Sequence, residues 1–176
     1  AKGSTVTNAN DYSSYAQGIM NIVIISSGSG SGSSTSSTGI EQFKTELTGL
    51  DFENNAVIKI KNANGLFSGC SKLIQLYGDP YLDLSNCNDV TDMFKGCSSF
   101  NSGLIIKNFG NNVQKDLILD LSECQSIDLD NFKDIIVKYT GTYVRKIILD
   151  PNSYSNNVDW GGVAKLKSKG IQVVSA

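Results

Sequence analysis

"NGLFSGCSKL" (Asn64–Leu73) and "TDMFKGCSSF" (Thr91–Phe100) write one phrase twice. Phe67 matches Phe94, Gly69 matches Gly96, Cys70 matches Cys97 and Ser71 matches Ser98, always at the same offset. An apolar residue follows each phrase, at Leu73 and Phe100. A period of about 20–29 residues with a short strand in each unit marks a chain wound into stacked turns, none of which can bury its apolar side alone. Equivalent positions then form columns, so the same residue recurs one turn later.

Short apolar segments flank the two phrases. Ala56–Asn62, Tyr81–Asn86, Leu117–Glu123, Arg145–Asp150 and Ile171–Ser175 read as five strands, and Gly103–Asn108 as a candidate sixth. Ile60, Leu84, Ile106, Leu121, Leu149 and Val174 are taken as their equivalent positions. The steps between them are similar except for the one from Ile106 to Leu121, which is much shorter. Either Ile106 belongs to an irregular turn, or two strands lie close through a short return.

"LFSGCSKL", "LDLSNC" and "VTDMFKGCSSF" resemble the BspA-like leucine-rich repeats, whose turns read like L-D-L-S-N followed by M-F-x-G-C-S-S-L. The resemblance is specific over Val57–Phe100 and looser over Leu117–Ser175, where the G-C-S phrase is gone. The tail from Ile148 looks like the closing turn of such arrays. The resemblance implies an α/β fold, a short leucine-rich-repeat solenoid with a parallel sheet, over residues 40–176. It further implies adhesion or binding rather than catalysis, on bacterial or virion surfaces. Phe67, Cys70, Leu84, Phe94, Cys97 and Leu121 are the expected repeat core.

Upstream, Thr38 and Glu41 match a capping box, and Ile40, Phe43, Leu47 and Leu50 fall at helical spacing. These residues predict an N-terminal capping helix over Ile40–Thr48, stopped by Gly49. Residues 26–39, "SSGSGSGSSTSSTG", have nothing to bury and read as a flexible Ser/Gly/Thr linker. Such a linker spans roughly 20 Å. Residues 1–25 form a leader with only two charges, Lys2 and Asp11. Its Tyr12, Tyr15, Ile19, Met20, Ile22, Val23, Ile24 and Ile25 cannot make a core alone. The leader is either a poorly ordered end or a docking segment that joins other subunits or a scaffold protein.

Several function classes lose support. Fifteen basic and 17 acidic residues give no bias toward nucleic acid. The longest apolar run, Ile22–Ile25, is far too short for a membrane span. No basic segment followed by an apolar run opens the sequence, so no signal peptide is expected within it. There is no histidine, hence no His base, His-activated nucleophile or His metal ligand. Cys70, Cys87, Cys97 and Cys124 form no C-x-x-C pair. No cofactor or metal is expected.

Other candidate groups have structural readings. Cys70 and Cys97 stack as buried thiols or, being one turn apart, as a disulfide. Cys87 and Cys124 each follow an L-S phrase and are also expected to be buried. Asn62, Asn86 and Asn108 end strands at equivalent places and predict an Asn ladder. Asp120, Asp128, Asp130 and Asp134 are the densest acidic group. Paired carboxylates could hydrolyse glycosides, but Asp128 or Asp130 reads better as the cap of a helix through Tyr139, with Gly141 as its stop. Trp160 is expected in the last helical segment beside Val163 and Leu166. Tyr77, Tyr81, Tyr143 and Tyr154 are the candidate ligand surface.

These readings converge on a non-catalytic repeat module held out from a larger assembly, a virion fibre or a cell surface, to recognise a host protein or glycan. The competing expectation is a structural or decoration component of a virion or filament, with the leader joining subunits.

Overall fold

The computed structural model describes residues 2–6, 16–17, 22–26, 47–52, 57–101, 104–125, 127, 137–159 and 162–176. Eleven strands and two helices occur among them. The strands are β1 (Lys2–Val6), β2 (Ala16–Gln17), β3 (Ile22–Ser26), β4 (Leu47–Phe52), β5 (Val57–Ile60), β6 (Gln75–Tyr77), β7 (Tyr81–Leu84), β8 (Ile105–Phe109), β9 (Leu117–Leu121), β10 (Arg145–Leu149) and β11 (Gln172–Ser175). The helices are α1 (Pro151–Asp159) and α2 (Gly162–Ser168).

The strands form three sheets, ordered β1-β3-β4-β6, β2-β5-β7-β8 and β11-β10-β9. Pairing is antiparallel for β1–β3, β3–β4 and β2–β5, and parallel for every other pair. The architecture is α/β with parallel strands dominating. Parallel partners are separated by one repeat length, from Val57↔Tyr81 to Arg145↔Leu117.

The repeated phrase forms a column of its own. Ala63, Gly65, Phe67 and Gly69 donate their amides to the carbonyls of Asp89, Thr91, Met93 and Lys95 at 2.7, 2.9, 2.8 and 2.7 Å. Every second residue of the first turn is thus tied to the second, as in a parallel ladder. Both turns require left-handed backbone at matching places. Gly65 has φ 60° and its equivalent Asp92 has φ 55°, a conformation that Asp tolerates better than most residues. Inside, Phe94 stacks on Phe67 at 5.1 Å and on Phe100 at 4.8 Å between ring centroids. Phe67, Cys70, Leu84, Phe94, Cys97 and Leu121 all lie in one buried cluster.

The short step between Ile106 and Leu121 has a geometric cause. Ile106 pairs with Leu82, while Phe109 pairs with Leu84, because a bulge at Lys107 shifts the register. Leu121 lies in a different sheet from both. It follows Phe94 at the interval that separates Phe94 from Phe67, and the neighbouring Glu123 accepts a hydrogen bond from the Gly96 amide at 2.6 Å. So β9 continues the column of repeated turns, whereas β8 continues the column of β5 and β7. The six segments are two columns, and the expected single parallel sheet is three sheets. The last equivalence slips as well, since Leu149 pairs with Ser175 and Val174 with Ile148.

Other differences lie at the N-terminal side. Leu47 and Thr48, expected at the end of a capping helix, begin β4, and Gly49 lies inside that strand rather than stopping a helix. Pairing with β3 on one edge and β6 on the other overrides local helical spacing here. The rest of that segment, residues 40–46, lies outside the described residues, as do residues 128–136 of the second expected helix. The short strand β6 was not expected. Ser26 ends β3 instead of opening the linker, and Ile22–Ser26 pairs with Leu47–Phe52 of the same chain. The backbone of the leader strand is therefore placed on the sheet of its own body.

One buried cation holds the passage from β8 to β9. Arg145 is 1% exposed. Its Nε donates to Phe109 O at 2.8 Å, Nη1 to Lys115 O and Val144 O at 2.7 and 2.9 Å, and Nη2 to Gly110 O and Val113 O at 2.6 and 2.7 Å. The guanidinium also lies 4.2 Å above the Tyr139 ring. Gly110 is required beneath it. Its φ is +63°, and a Cβ there would come within 2.9 Å of Arg145 Nε. At the far end Asp150 caps α1, its carboxylate accepting from the amides of Asn152 and Ser153 at 3.1 and 3.0 Å.

Two outcomes are expected in urea unfolding. Phe94→Ala should lose about 3–5 kcal/mol through transfer and cavity terms. A loss under about 1 kcal/mol would mean that the repeated phrases do not share a core. Arg145→Met should lose at least about 3 kcal/mol, because several buried carbonyls lose a charged donor together. Retained stability in that variant would show that water replaces the guanidinium without cost.

Candidate functional site

The thiols form a structural column rather than a reactive centre. Cys70, Cys87, Cys97 and Cys124 are all free and buried. Cys70, Cys97 and Cys124 recur at one fixed interval, and Cys97 senses both of the others. Grouping Cys124 with Cys87 by their L-S phrases missed this; the repeat spacing was the available signal. Cys97 donates its thiol to Phe67 O at 3.0 Å, and Cys87 to Asp89 O at 3.3 Å. Burial pushes the Cys97 thiol far above its ordinary value, with Cys70 and Cys124 adding to the effect. Burial pushes Cys124 up to about 12, with Glu123 adding to it. Thiolate chemistry at neutral pH is disfavoured at these two positions.

The polar ladders also serve the turns. Asn112 Nδ2 donates to Asn86 Oδ1 at 3.1 Å and Asn62 Oδ1 accepts the Asn64 amide at 2.8 Å, so Asn62, Asn86 and Asn108 do not form the expected ladder. Asn108 Nδ2 instead donates to Asp83 Oδ1 at 3.2 Å. Asp83 and Asp120 each accept the amide two residues on, from Ser85 and Ser122 at 3.0 and 2.9 Å. Burial opposes ionisation of Asp83, but the Ser85 and Asn108 hydrogen bonds outweigh it and lower the pKa. Of the expected acidic group only Asp120 lies among the described residues. It lines a shallow cleft of about 230 Å3 with Asp92, Lys95, Ser122 and Glu123. Asp92 pairs with Lys95 at 3.5 Å, and Glu123 holds the Gly96 amide. These carboxylates are occupied in shaping turns. Among the described residues no group of side chains could hold a metal ion.

The four tyrosines do not form one surface. Tyr77 is 40% exposed at the end of β6. Its ring lies back across Gly49 of β4, where an added Cβ would meet Tyr77 Cε2 at 2.6 Å. The glycine leaves room for one edge of the ring beside the β4 backbone. Tyr81 is half-buried across the Gly78-Asp79-Pro80 turn, and Ile74 is exposed just before β6. Tyr143 is exposed two residues before β10, on another sheet. Tyr154 packs against the core from α1 and offers no platform. Within α2, Val163 and Leu166 are buried as expected, whereas Trp160 lies outside the described residues. Tyr12, Tyr15, Ile19 and Met20 lie outside them too, while Ile22, Val23, Ile24 and Ile25 contribute to β3.

A second open surface was not expected. The third sheet turns Leu119, Ile147 and Val173 inward. Its other face carries Ile118, Lys146 and Gln172 in one row, and Asp120, Ile148 and Val174 in the next. Ile118 and Val174 are 44% and 37% exposed. All-parallel sheets are nearly always covered on both faces; on this one Ile118 and Val174 stay exposed, while Lys146 and Ile148 of the central strand are half-buried. The sequence reading took these segments only as short apolar strands and assigned no outward face to them.

No protein-family model, curated protein or solved structure matches the chain. Among the described residues no helix is long and apolar enough to cross a membrane.

The thiol column sets an alkaline limit. The folded state keeps protons on Cys97 and Cys124 that an unfolded chain releases near the ordinary value of 9.0. Their contribution is therefore whole below pH 9 and is lost as pH rises toward 12. The urea midpoint should fall over that window, and less steeply in a Cys97→Ala/Cys124→Ala variant. Equal slopes would show that the thiols titrate alike in both states.

Proposed function

We propose that this chain is a non-catalytic repeat module, a short leucine-rich-repeat solenoid of BspA-like type. It is displayed extracellularly from a virion fibre or bacterial surface, where it recognises a host protein or glycan. The observation that carries the reading is Tyr77, an exposed ring whose edge packs against Gly49. A rigid ring loses little side-chain entropy on binding and presents an apolar body with a polar tip. The stacked turns supply a stiff support, and the reading assigns no catalytic role to any side chain. A structural role in a virion or filament, with the N-terminal strands joining subunits, draws on a different observation. Strand β1 stands at the end of its sheet order, so one edge of it is paired with no described strand.

The test is binding of the full chain to immobilised glycans and surface proteins, compared with Tyr77→Ser. A tenfold or greater loss, about 1.4 kcal/mol, is expected with an unchanged circular dichroism spectrum. Undiminished binding by the variant would remove Tyr77 from the recognition surface. Absence of any ligand across such a panel would turn the reading toward the structural role.

A further inference from the structure

The outward face of the third sheet, with Ile118 exposed and Lys146 and Ile148 half-buried, has a pattern that singles out its own occupant. Strands β9 and β10 pair in register, Ile118 with Lys146 and Asp120 with Ile148. These four side chains mark a rectangle of about 4.8 by 6.6 Å, one strand spacing by two residues. Ile118 and Ile148 occupy one diagonal, and Lys146 and Asp120 the other. Among the described residues no ion pair holds Lys146, and Asp120 uses Oδ1 on the Ser122 amide.

We propose that this face is covered by the same face of a second copy of the chain, related by a two-fold axis lying close to the isoleucine diagonal. That operation carries each isoleucine nearly onto its own equivalent. It also carries Lys146 over Asp120 of the other copy, and Asp120 over Lys146. One contact therefore covers the apolar pair twice and forms two reciprocal ion pairs, the mark of an isologous interface. Other rotations in the sheet plane lose this match. An axis along β10 sets lysine against lysine, and an axis across the strands sets Ile118 against Asp120. A differently charged partner would meet Lys146 and Asp120 of opposite sign within one rectangle, so it would need the same alternation. Val174 and Gln172 extend the contact at the β11 side. Tyr77 belongs to a different sheet, so the proposed contact uses none of the residues of the recognition reading, on which it does not rest.

The reciprocal geometry makes a specific charge test. The full chain should be dimeric in sedimentation equilibrium, and Lys146→Glu alone should weaken the dimer at least about tenfold by setting Glu against Asp120. Asp120→Lys alone should weaken it similarly by setting lysine against lysine. Mixing the two variants should restore a heterodimer, because Glu meets lysine at one corner and Asp120 meets Lys146 at the other. Recovery in the mixture is expected only of two copies of this face opposed to each other. A second measurement does not depend on any variant. Carbodiimide coupling of mixed unlabelled and 15N-labelled protein should give Lys146–Asp120 cross-links that contain one chain of each kind. A monomeric chain at about 100 μM would overturn the proposal and leave the face to a different partner. So would a dimer that is indifferent to both variants and forms no such cross-link, which would place its contact elsewhere, as in the N-terminal strands.

Discussion

The amide of Phe67 donating to the carbonyl of Met93 at 2.8 Å stands for the constraint on which the rest depends. Turns that bond through their backbones must lie about one strand spacing apart. At that distance equivalent side chains lie close, so each column favours residues that can stack on one another. Phenylalanine rings lie over one another, small thiols follow, and glycine closes the turn where a side chain would be strained. The fixed recurrence of the phrase is the sequence record of that spacing.

Where the column changes character, a different device takes over. After β8 the chain must leave one side of the body and start β9 on another, over residues 110–116. Loops of this kind carry carbonyls that no neighbouring turn can satisfy. Arg145, arriving from the next level, gathers five carbonyls in one planar group and lies against Tyr139. Its forked donors suit this task in a way that a lysine ammonium does not. Burial lowers the proton affinity of the guanidinium, with Tyr139 and Asp116 opposing that shift. An arginine with those partners remains charged.

Much of the body was legible because its signals are local and repeated. The two phrases located the turns, and strand positions from Tyr81 to Ser175 were found to within a few residues. What escaped was long-range. The sequence around Leu47–Leu50 supports a helix as well as a strand, and only the flanking β3 and β6 decide. Arg145 reads as an ordinary strand residue, because carbonyls at 109–115 are invisible to a local pattern. Cys124 was separable from Cys87 only by trusting the period over the flanking phrase. The exposed face of the third sheet was missed for another reason. The segments were found as short apolar runs, which do not say which side chains face outward. Tyrosine exposure was legible only in part, since Tyr77 and Tyr154 look alike until Gly49 and the α1 environment are known.

The matching of Gly65 with Asp92 and of Gly69 with Gly96 has a consequence for how such a chain can change. Recombination between the two phrases would remove or add one whole level in frame, leaving every column continuous across the junction. The body would become shorter or longer by about 4.8 Å while keeping its cross-section. Height is therefore a quantity that an in-frame exchange would change in discrete steps. Arg145 sets a limit on that freedom, because the level it clamps contains a passage that does not repeat. Growth is open between Asn64 and Phe100 and closed beyond Phe109, so new levels enter through the middle of the molecule and push its two ends apart.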